Sequence, residues 1–282
     1  MTDAPDTLLR ILGSGTSAGV PLIGCDCDIC RSDDPRDTRT RCSALVHVRD
    51  HDGVDRVILI DTSPDLREQA LRHDLQRCDA ILFTHNHVDH TFGLDEVRRF
   101  NAVMKTSIDV FADEHTLEHL HRVYRHIFQR HNNVNDSFVA TLTPNLIAPL
   151  VPIDLFGVRI LPIPLLHGRL PILGFRIEAL DPDGTVSDEQ PGPFPLAYCT
   201  DVSGIPAETW PHLEGLDTLV LDMLRYRHHP THMTVDQAVE AATRIGAART
   251  YFTHMTHEIR HAQLDSELPE GMSLAYDGLG IG

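Results

Sequence analysis

Apolar residues recur along the chain in short runs bounded by polar or turn-forming residues, the mark of strands buried on one or both faces. Such runs predict strands at 7–12, 43–48, 57–60, 79–83 and 108–111, and again at 158–163, 173–179, 196–200, 218–221 and 250–252. Helical spacing takes over between them. Ser63-Pro64 opens a helix through 73, with Pro near its first position. Helices are also predicted at 94–103, 206–213 and 235–245. Leu117, Leu120, Val123, Tyr124 and Ile127 place one apolar stripe on a helix over 113–130. Asp52-Gly53 and Asp181-Pro182-Asp183-Gly184 read as turns, and the segment onward to Pro195 as a polar, Pro-rich hairpin loop. The turn Gly13-Ser14-Gly15-Thr16-Ser17 lacks the spacing of a Walker or dinucleotide loop. Residues 24–40 form an irregular loop rich in Cys and Asp. Strands and helices fall into two similar halves with no internal repeat and no long linker, which predicts an α/β fold in a single domain over 1–282.

The strand ends are chemically uneven. Asp61, His85, Asp201, Asp222 and His254 each close a predicted strand, which gathers candidate ligands on one edge of a sheet assembly. The densest stretch is Thr84-His85-Asn86-His87-Val88-Asp89-His90-Thr91, directly after the strand at 79–83. Open α/β sheets place their sites on such loops, at the C-terminal ends of strands.

Composition narrows the classes. The hydrophobic fraction of 41% supports a sizeable core. No apolar run approaches the roughly 20 residues that span a bilayer. Residues 1–6 lack the basic and apolar regions of a signal peptide, so a soluble, cytoplasmic protein without membrane partners is expected. A formal net charge of −17, 24 basic residues against 41 acidic, argues against nucleic acid as a partner. Cys25, Cys27 and Cys30 are clustered, whereas Cys42, Cys78 and Cys199 are scattered. In a cytosolic chain the cluster points to metal rather than to disulfides, with a redox pair or inert thiols as the other readings. His115, His119, Arg122, Arg125 and Arg130 line the second face of the helix over 113–130, either as a solvated face or as a basic rim toward substrate.

The run H-x-H-x-D-H after a strand resembles the metallo-β-lactamase superfamily, whose fold is a four-layer αββα sandwich. Leu166-His167-Gly168, Thr200-Asp201-Val202 and Thr253-His254 match its later ligand positions in order. More narrowly, Gly24-Cys25-Asp26-Cys27-Asp28-Ile29-Cys30, Thr253-His254-Met255-Thr256-His257 and Tyr276-Asp277-Gly278 are similar to the phosphoribosyl cyclic phosphate phosphodiesterases of the carbon–phosphorus lyase pathway. The transfer-RNA 3′-processing endonucleases share the core but carry a long basic arm, and no comparable Lys-rich insertion stands here.

The resemblance implies a ligand set. His85, His87 and His167 would hold one divalent ion, Asp89, His90 and His254 a second, and Asp201 would bridge them. Imidazole and carboxylate without thiolate independently suit Zn²⁺ or Mn²⁺. Two such ions roughly 3.5–4 Å apart stabilise attacking and leaving oxygens in a phosphodiester displacement and activate a bridging water. His232 would be the general acid, a role His suits near neutrality, and Asp89 is the other residue implied in catalysis. Asp61 and Asp222 would accept hydrogen bonds from the ligating imidazoles or serve as plain turn carboxylates. Cys25, Cys27 and Cys30, with His257 as fourth ligand, would close a structural Zn²⁺ site in the loop at 24–42. The expected activity is hydrolysis of a small, cyclic phosphodiester through a metal-bridging hydroxide, by a homodimer. Alternatives are an RNA-processing endonuclease, a thioester or lactone hydrolase, and a non-catalytic metal-binding protein.

Overall fold

A computed structural model describes residues 7–135 and 137–282. Residues 1–6, on which the expectation about a leader rests, lie outside the described residues. The first half runs β1 (Thr7–Gly13), β2 (Ser43–Arg49), β3 (Asp55–Ile60), α1 (Leu66–Arg72), β4 (Ala80–Leu82), α2 (Val88–Thr91), α3 (Arg98–Met104), β5 (Ile108–Ala112), α4 (Glu114–Val123), α5 (Arg125–Phe128) and β6 (Leu142–Leu146). The second runs β7 (Ile153–Leu155), β8 (Val158–His167), β9 (Leu170–Ala179), β10 (Leu196–Cys199), β11 (Thr218–Asp222), α6 (Val235–Ile245), β12 (Arg249–Thr253), α7 (His261–Glu267), β13 (Met272–Leu274) and β14 (Gly280–Ile281).

The strands form two seven-stranded sheets, ordered β14-β1-β2-β3-β4-β5-β6 and β13-β12-β11-β10-β9-β8-β7. The halves repeat one plan. Antiparallel pairing through β1, β2 and β3 gives way to parallel pairing from β3 to β6. Likewise β7 to β10 are antiparallel and β10 to β13 parallel. Every loop leaving a parallel strand therefore emerges at the same edge of its sheet.

Period-2 alternation explains the layers. Along β3, Ile58 and Ile60 face the second sheet and meet Ile160, Phe175, Tyr198 and Val220. Val57 and Leu59 face outward onto a layer with Leu66 of α1, Phe100 of α3 and Leu120 of α4. The second sheet buries Leu219 and Leu221 against Ala238, Ala242 and Leu264 of α6 and α7. Both faces of the central strands are thus covered, which is why they read as unbroken apolar runs. Three apolar interfaces between four layers, two of helices and two of sheet, make the αββα sandwich. Helix α6 is bounded by a Thr234–Gln237 capping box and by Gly246 in the left-handed conformation.

Several elements depart from the pattern-based reading. The helix expected over 113–130 breaks at Tyr124, whose hydroxyl donates to the Thr91 carbonyl at 2.9 Å and leaves α4 and α5 as separate pieces. The helix expected at 206–213 is only a tight turn at Trp210–Leu213, and that at 94–103 starts as one at Leu94–Val97. Strands β8 and β9 are longer than expected and form one hairpin. Pro162 and Pro164 fit there because their backbones face away from β9. The Pro162 carbonyl accepts from Leu150, and the Pro164 carbonyl from the Thr209 hydroxyl. Among the described residues no helix is long and apolar enough to cross a membrane.

Candidate metal centre

The C-terminal strand ends converge. Asp61 follows β3, and His85, His87, Asp89 and His90 follow β4, the last two within α2. His167 ends β8, Asp201 lies just past β10, Asp222 ends β11, and His254 follows β12. Asp61, Asp201 and His254 have φ of 61°, 59° and 66°. A non-glycine residue there costs on the order of 1–3 kcal/mol, a strain that concentrates at functional sites. Here each left-handed turn swings a side chain off its strand end into one common space.

Two ligand clusters result. Nitrogens of His85, His87 and His167 lie within 4.8 Å of one another, as do ligand atoms of Asp89, His90, Asp201 and His254. Asp201 also groups with His167 and His232, so its carboxylate stands between the two clusters. Its Oδ2 is 3.2 Å from His90 Nε2, and its Oδ1 is 3.3 Å from His254 Nε2. Asp89 Oδ2 is 3.4 Å from His90 Nε2 and 3.7 Å from His254 Nε2. Two ligands of a tetrahedral ion with bonds of about 2.05–2.1 Å stand about 3.4 Å apart, so these spacings fit a cation between them.

Hydrogen bonding sets the tautomers. The His90 ring donates from Nδ1 to Asp61 at 2.7 Å. The His167 Nδ1 meets two carbonyls, of Asp201 and Thr231, at 3.0 and 2.9 Å and must be the donor. The Thr84 hydroxyl spends its proton on Asp61 at 2.8 Å, so it accepts from His85 Nδ1 at 3.0 Å. In all three rings Nε2 is thereby left as the atom that faces the centre. His85 Nε2, His90 Nε2 and both nitrogens of His254 are buried without a hydrogen-bond partner. Buried polar atoms are rarely left so, and a cation would take up the Nε2 atoms that face the centre. The electrostatics agree. Burial, then the neighbouring His90, pushes His85 well below its ordinary pKa, and burial lowers His167. These rings are neutral ligands at neutral pH. Burial alone would raise Asp201, but His254 and His90 overcome it and hold it well below the usual carboxylate range. Against the same burial, Asp201, Asp61 and Asp89 draw His90 well above its ordinary pKa, so without metal its Nε2 holds a proton that a bound cation would displace. His87 is exposed, which leaves the centre open on that side.

His232 sits at the rim. Its Nδ1 is 2.9 Å from Asp222 Oδ1 and its Nε2 is 4.0 Å from Asp201 Oδ1. Asp222 also accepts from the backbone N–H groups of Asp201 and Met233, and so ties the acid candidate to the cluster. Asp61 and Asp222 are therefore buried partners of site histidines and not turn carboxylates. A cavity of about 280 Å³ lies against His232, Arg225 and His229, and one of about 420 Å³ against Asp89, Val88 and Arg41. The residues Ser17, Ala18 and Leu22 wall both.

The third predicted ligand group also assembles. Sγ of Cys25, Cys27 and Cys30 lies 3.3, 3.4 and 3.5 Å from His257 Nδ1. A tetrahedral Zn²⁺ with bonds of about 2.3 Å to sulfur and 2.05 Å to nitrogen would separate these atoms by about 3.5 Å. All three cysteines are free thiols. The backbone N–H of Cys30 brings the Cys27 thiol down to about 6, while burial pushes Cys30 up to about 11.

Thr84 and Thr200 escape the sequence reading. Thr200 donates to Asp201 Oδ2 at 2.8 Å, as Thr84 does to Asp61. The signal is present in the chain, since Thr precedes a site residue at Thr84-His85, Thr200-Asp201 and Thr253-His254. The basic helix face divides. His115 meets Asn86 of the site loop at 3.2 Å, while Arg122, Arg125 and Arg130 are exposed.

Residues 56–255 match the β-lactamase superfamily domain, and the chain belongs to that superfamily, with the metallo-β-lactamase fold. Among solved structures it is similar to a diphosphatase of the PhnP family, 40% identical over 97% of this chain and 96% of that one, with a TM-score of 0.82. The Zn²⁺-bound PqqB from Methylobacterium extorquens shares the fold at 20% identity, with a TM-score of 0.74 over 98% and 99% of the two chains. The octanoyltransferase of Porphyromonas gingivalis is 34% identical over 95% of this chain but 50% of that protein. The chain thus spans about half the length of this curated relative.

Proposed function

We propose that this protein is a metal-dependent hydrolase, a phosphodiesterase acting on a small, cyclic phosphodiester, with all of 1–282 serving as one catalytic domain. The observation that carries the reading is the open pair of clusters, His85/His87/His167 and Asp89/His90/Asp201/His254, with Asp201 also beside His167 and with His232 held at their edge by Asp222. His85, His87 and His167 would hold one divalent ion, and Asp89, His90 and His254 the other, as Zn²⁺ or Mn²⁺. Bound there, such ions supply positive charge to the phosphate oxygens and lower the pKa of water.

The chain's own residues do the rest. Asp61 and Thr84 fix the rings of His90 and His85, so that both clusters are formed before substrate arrives. Asp222 holds His232 by Nδ1 and leaves Nε2 to carry a proton toward the leaving oxygen. The similarity to a PhnP-family diphosphatase supports phosphoryl chemistry. Cys25, Cys27, Cys30 and His257 would hold a structural Zn²⁺, since four protein ligands leave no position for substrate. The resemblance extends the reading to a homodimer.

The formal charge of −17 disfavours the RNA-processing alternative. The test is turnover of bis(para-nitrophenyl) phosphate by chelator-stripped protein with Mn²⁺ or Zn²⁺ restored, beside thioester, lactone and precursor transfer-RNA substrates. Metal-dependent turnover of the phosphodiester is expected. Activity confined to thioesters, to lactones or to RNA would replace the reading, and silence on all of them would leave a metal-binding protein.

A further inference from the structure

Arg39 heads the fully buried side chains by volume among the described residues, and its guanidinium is sealed from solvent. Taking such a charge out of water costs several kcal/mol even after relaxation, and a well-packed apolar side chain would fill the space at less cost. Burial accordingly lowers the Arg39 pKa, with Asp37 opposing. The contacts show where the charge acts. Nη1 donates to the Thr256 carbonyl at 2.9 Å. Nη2 donates to the Ile259 carbonyl at 2.8 Å and to Asp37 Oδ1 at 3.1 Å. The two carbonyls lie on either side of His257 in the chain.

That short segment serves both candidate metal sites. It begins at His254, strained at φ 66° and facing Asp89 and Asp201. It goes on to His257, which faces the three cysteines. The Arg39 backbone pairs in both directions with Val20, on the strand-like approach to the Cys loop, at 2.8 Å each. The glycine turn closes the assembly. A Cβ at Gly15 would stand 2.8 Å from the Arg39 carbonyl, and the Met255 N–H donates to Ser14 at 3.0 Å. Arg39 thus joins the approach to the Cys loop through its backbone and the segment carrying His254 and His257 through its buried guanidinium, with the glycine turn packed against its carbonyl.

We propose that Arg39 is the positioning residue that couples the two metal sites: by clamping the carbonyls around His257 it sets that ring against the cysteines and, through the same segment, sets His254 against Asp89 and Asp201. The inference rests on the reading of both clusters as metal sites. The test loads wild type, Arg39→Met and Arg39→Lys with Co²⁺. It follows thiolate-to-cobalt charge transfer for the Cys cluster and d–d absorption for the His/Asp centre during a chelator titration. Circular dichroism of the metal-free proteins checks folding. In Arg39→Met both signals are expected to vanish together at about tenfold or more lower chelator, the range seen when partners behind ligands are removed. Arg39→Lys, which keeps the charge and some donors, should fall between. A folded Arg39→Met that holds both metals as wild type does, or that weakens at one cluster alone, overturns the proposal.

If neither variant folds, wild-type protein gives the answer. Stripping the Cys cluster with a mercurial should let the His/Asp centre release cobalt at about tenfold lower chelator, and unchanged release overturns the coupling. Absence of charge transfer in wild type would instead sink the metal reading of the Cys cluster itself, and the coupling with it.

Discussion

The Asp61→Asn substitution tests how far the centre depends on carboxylates behind its ligands. Asp61 is fully buried and accepts three hydrogen bonds, from the Thr84 N–H at 2.9 Å, the Thr84 hydroxyl at 2.8 Å and His90 Nδ1 at 2.7 Å. The last two arrive at the same oxygen. An amide placed with its NH₂ there sets donor against donor on both His90 and Thr84. Flipped, it orphans the Thr84 N–H instead. Either arrangement forfeits at least one bond to a charged group, about 1.5–3 kcal/mol. Loss of a partner behind a metal ligand weakens metal binding about 10–100-fold, or about 1.4–2.8 kcal/mol at the usual 1.4 per factor of ten. The two routes agree in size. Competition of Mn²⁺ or Zn²⁺ against a chelating dye reads the affinity, and circular dichroism checks the fold. A folded Asp61→Asn protein that binds metal within about twofold of wild type would refute the argument.

Three further outcomes follow from the same contacts. His232→Gln should keep its metal content by elemental analysis while losing about 10²–10⁴ of turnover; unchanged turnover removes His232 from the reaction. Asp277 accepts from the N–H and hydroxyl of both Ser14 and Thr40, and from Arg72. Asp277→Ala orphans two backbone donors at about 1–3 kcal/mol each, so the urea midpoint should fall by the equivalent of about 2–6 kcal/mol, and an unchanged midpoint contradicts the clamp. In metal-free protein Cys27, with its thiol near 6, is the thiolate above that pH and the thiol below it. Iodoacetamide labelling of Cys27 should therefore rise between about pH 5 and 7 and be blocked by added Zn²⁺; a midpoint above pH 8 would show that the Cys30 N–H does not stabilise the thiolate.

Much of the fold is legible from apolar runs because the central strands are covered on both faces. Ile58 and Ile60 fill one layer and Val57 and Leu59 another, so β3 declares itself. The outer strands carry less signal. Strand β6 holds Thr143, Pro144 and Leu146 at the surface, and β7, β13 and β14 are too short for a period to show. The break at Tyr124 is hidden for a different reason. Its apolar spacing continues the helix, and only the distant Thr91 carbonyl redirects it. Among site residues, the dense run at 85–90 is plain, whereas His228, His229 and His232 look alike in sequence. Resemblance favoured His232, and in the structure Asp222 distinguishes it. Arg39 gives no local sign at all, because the carbonyls it holds are more than two hundred residues away.

Anomalous diffraction from crystals grown with Mn²⁺ or Zn²⁺ tests the central claim most directly. The account predicts two peaks roughly 3.5–4 Å apart, one against His85, His87 and His167, one against Asp89, His90 and His254, with Asp201 touching both. Fully loaded crystals with no peak between these side chains, or with a single ion that leaves His85 and His167 free, would contradict it.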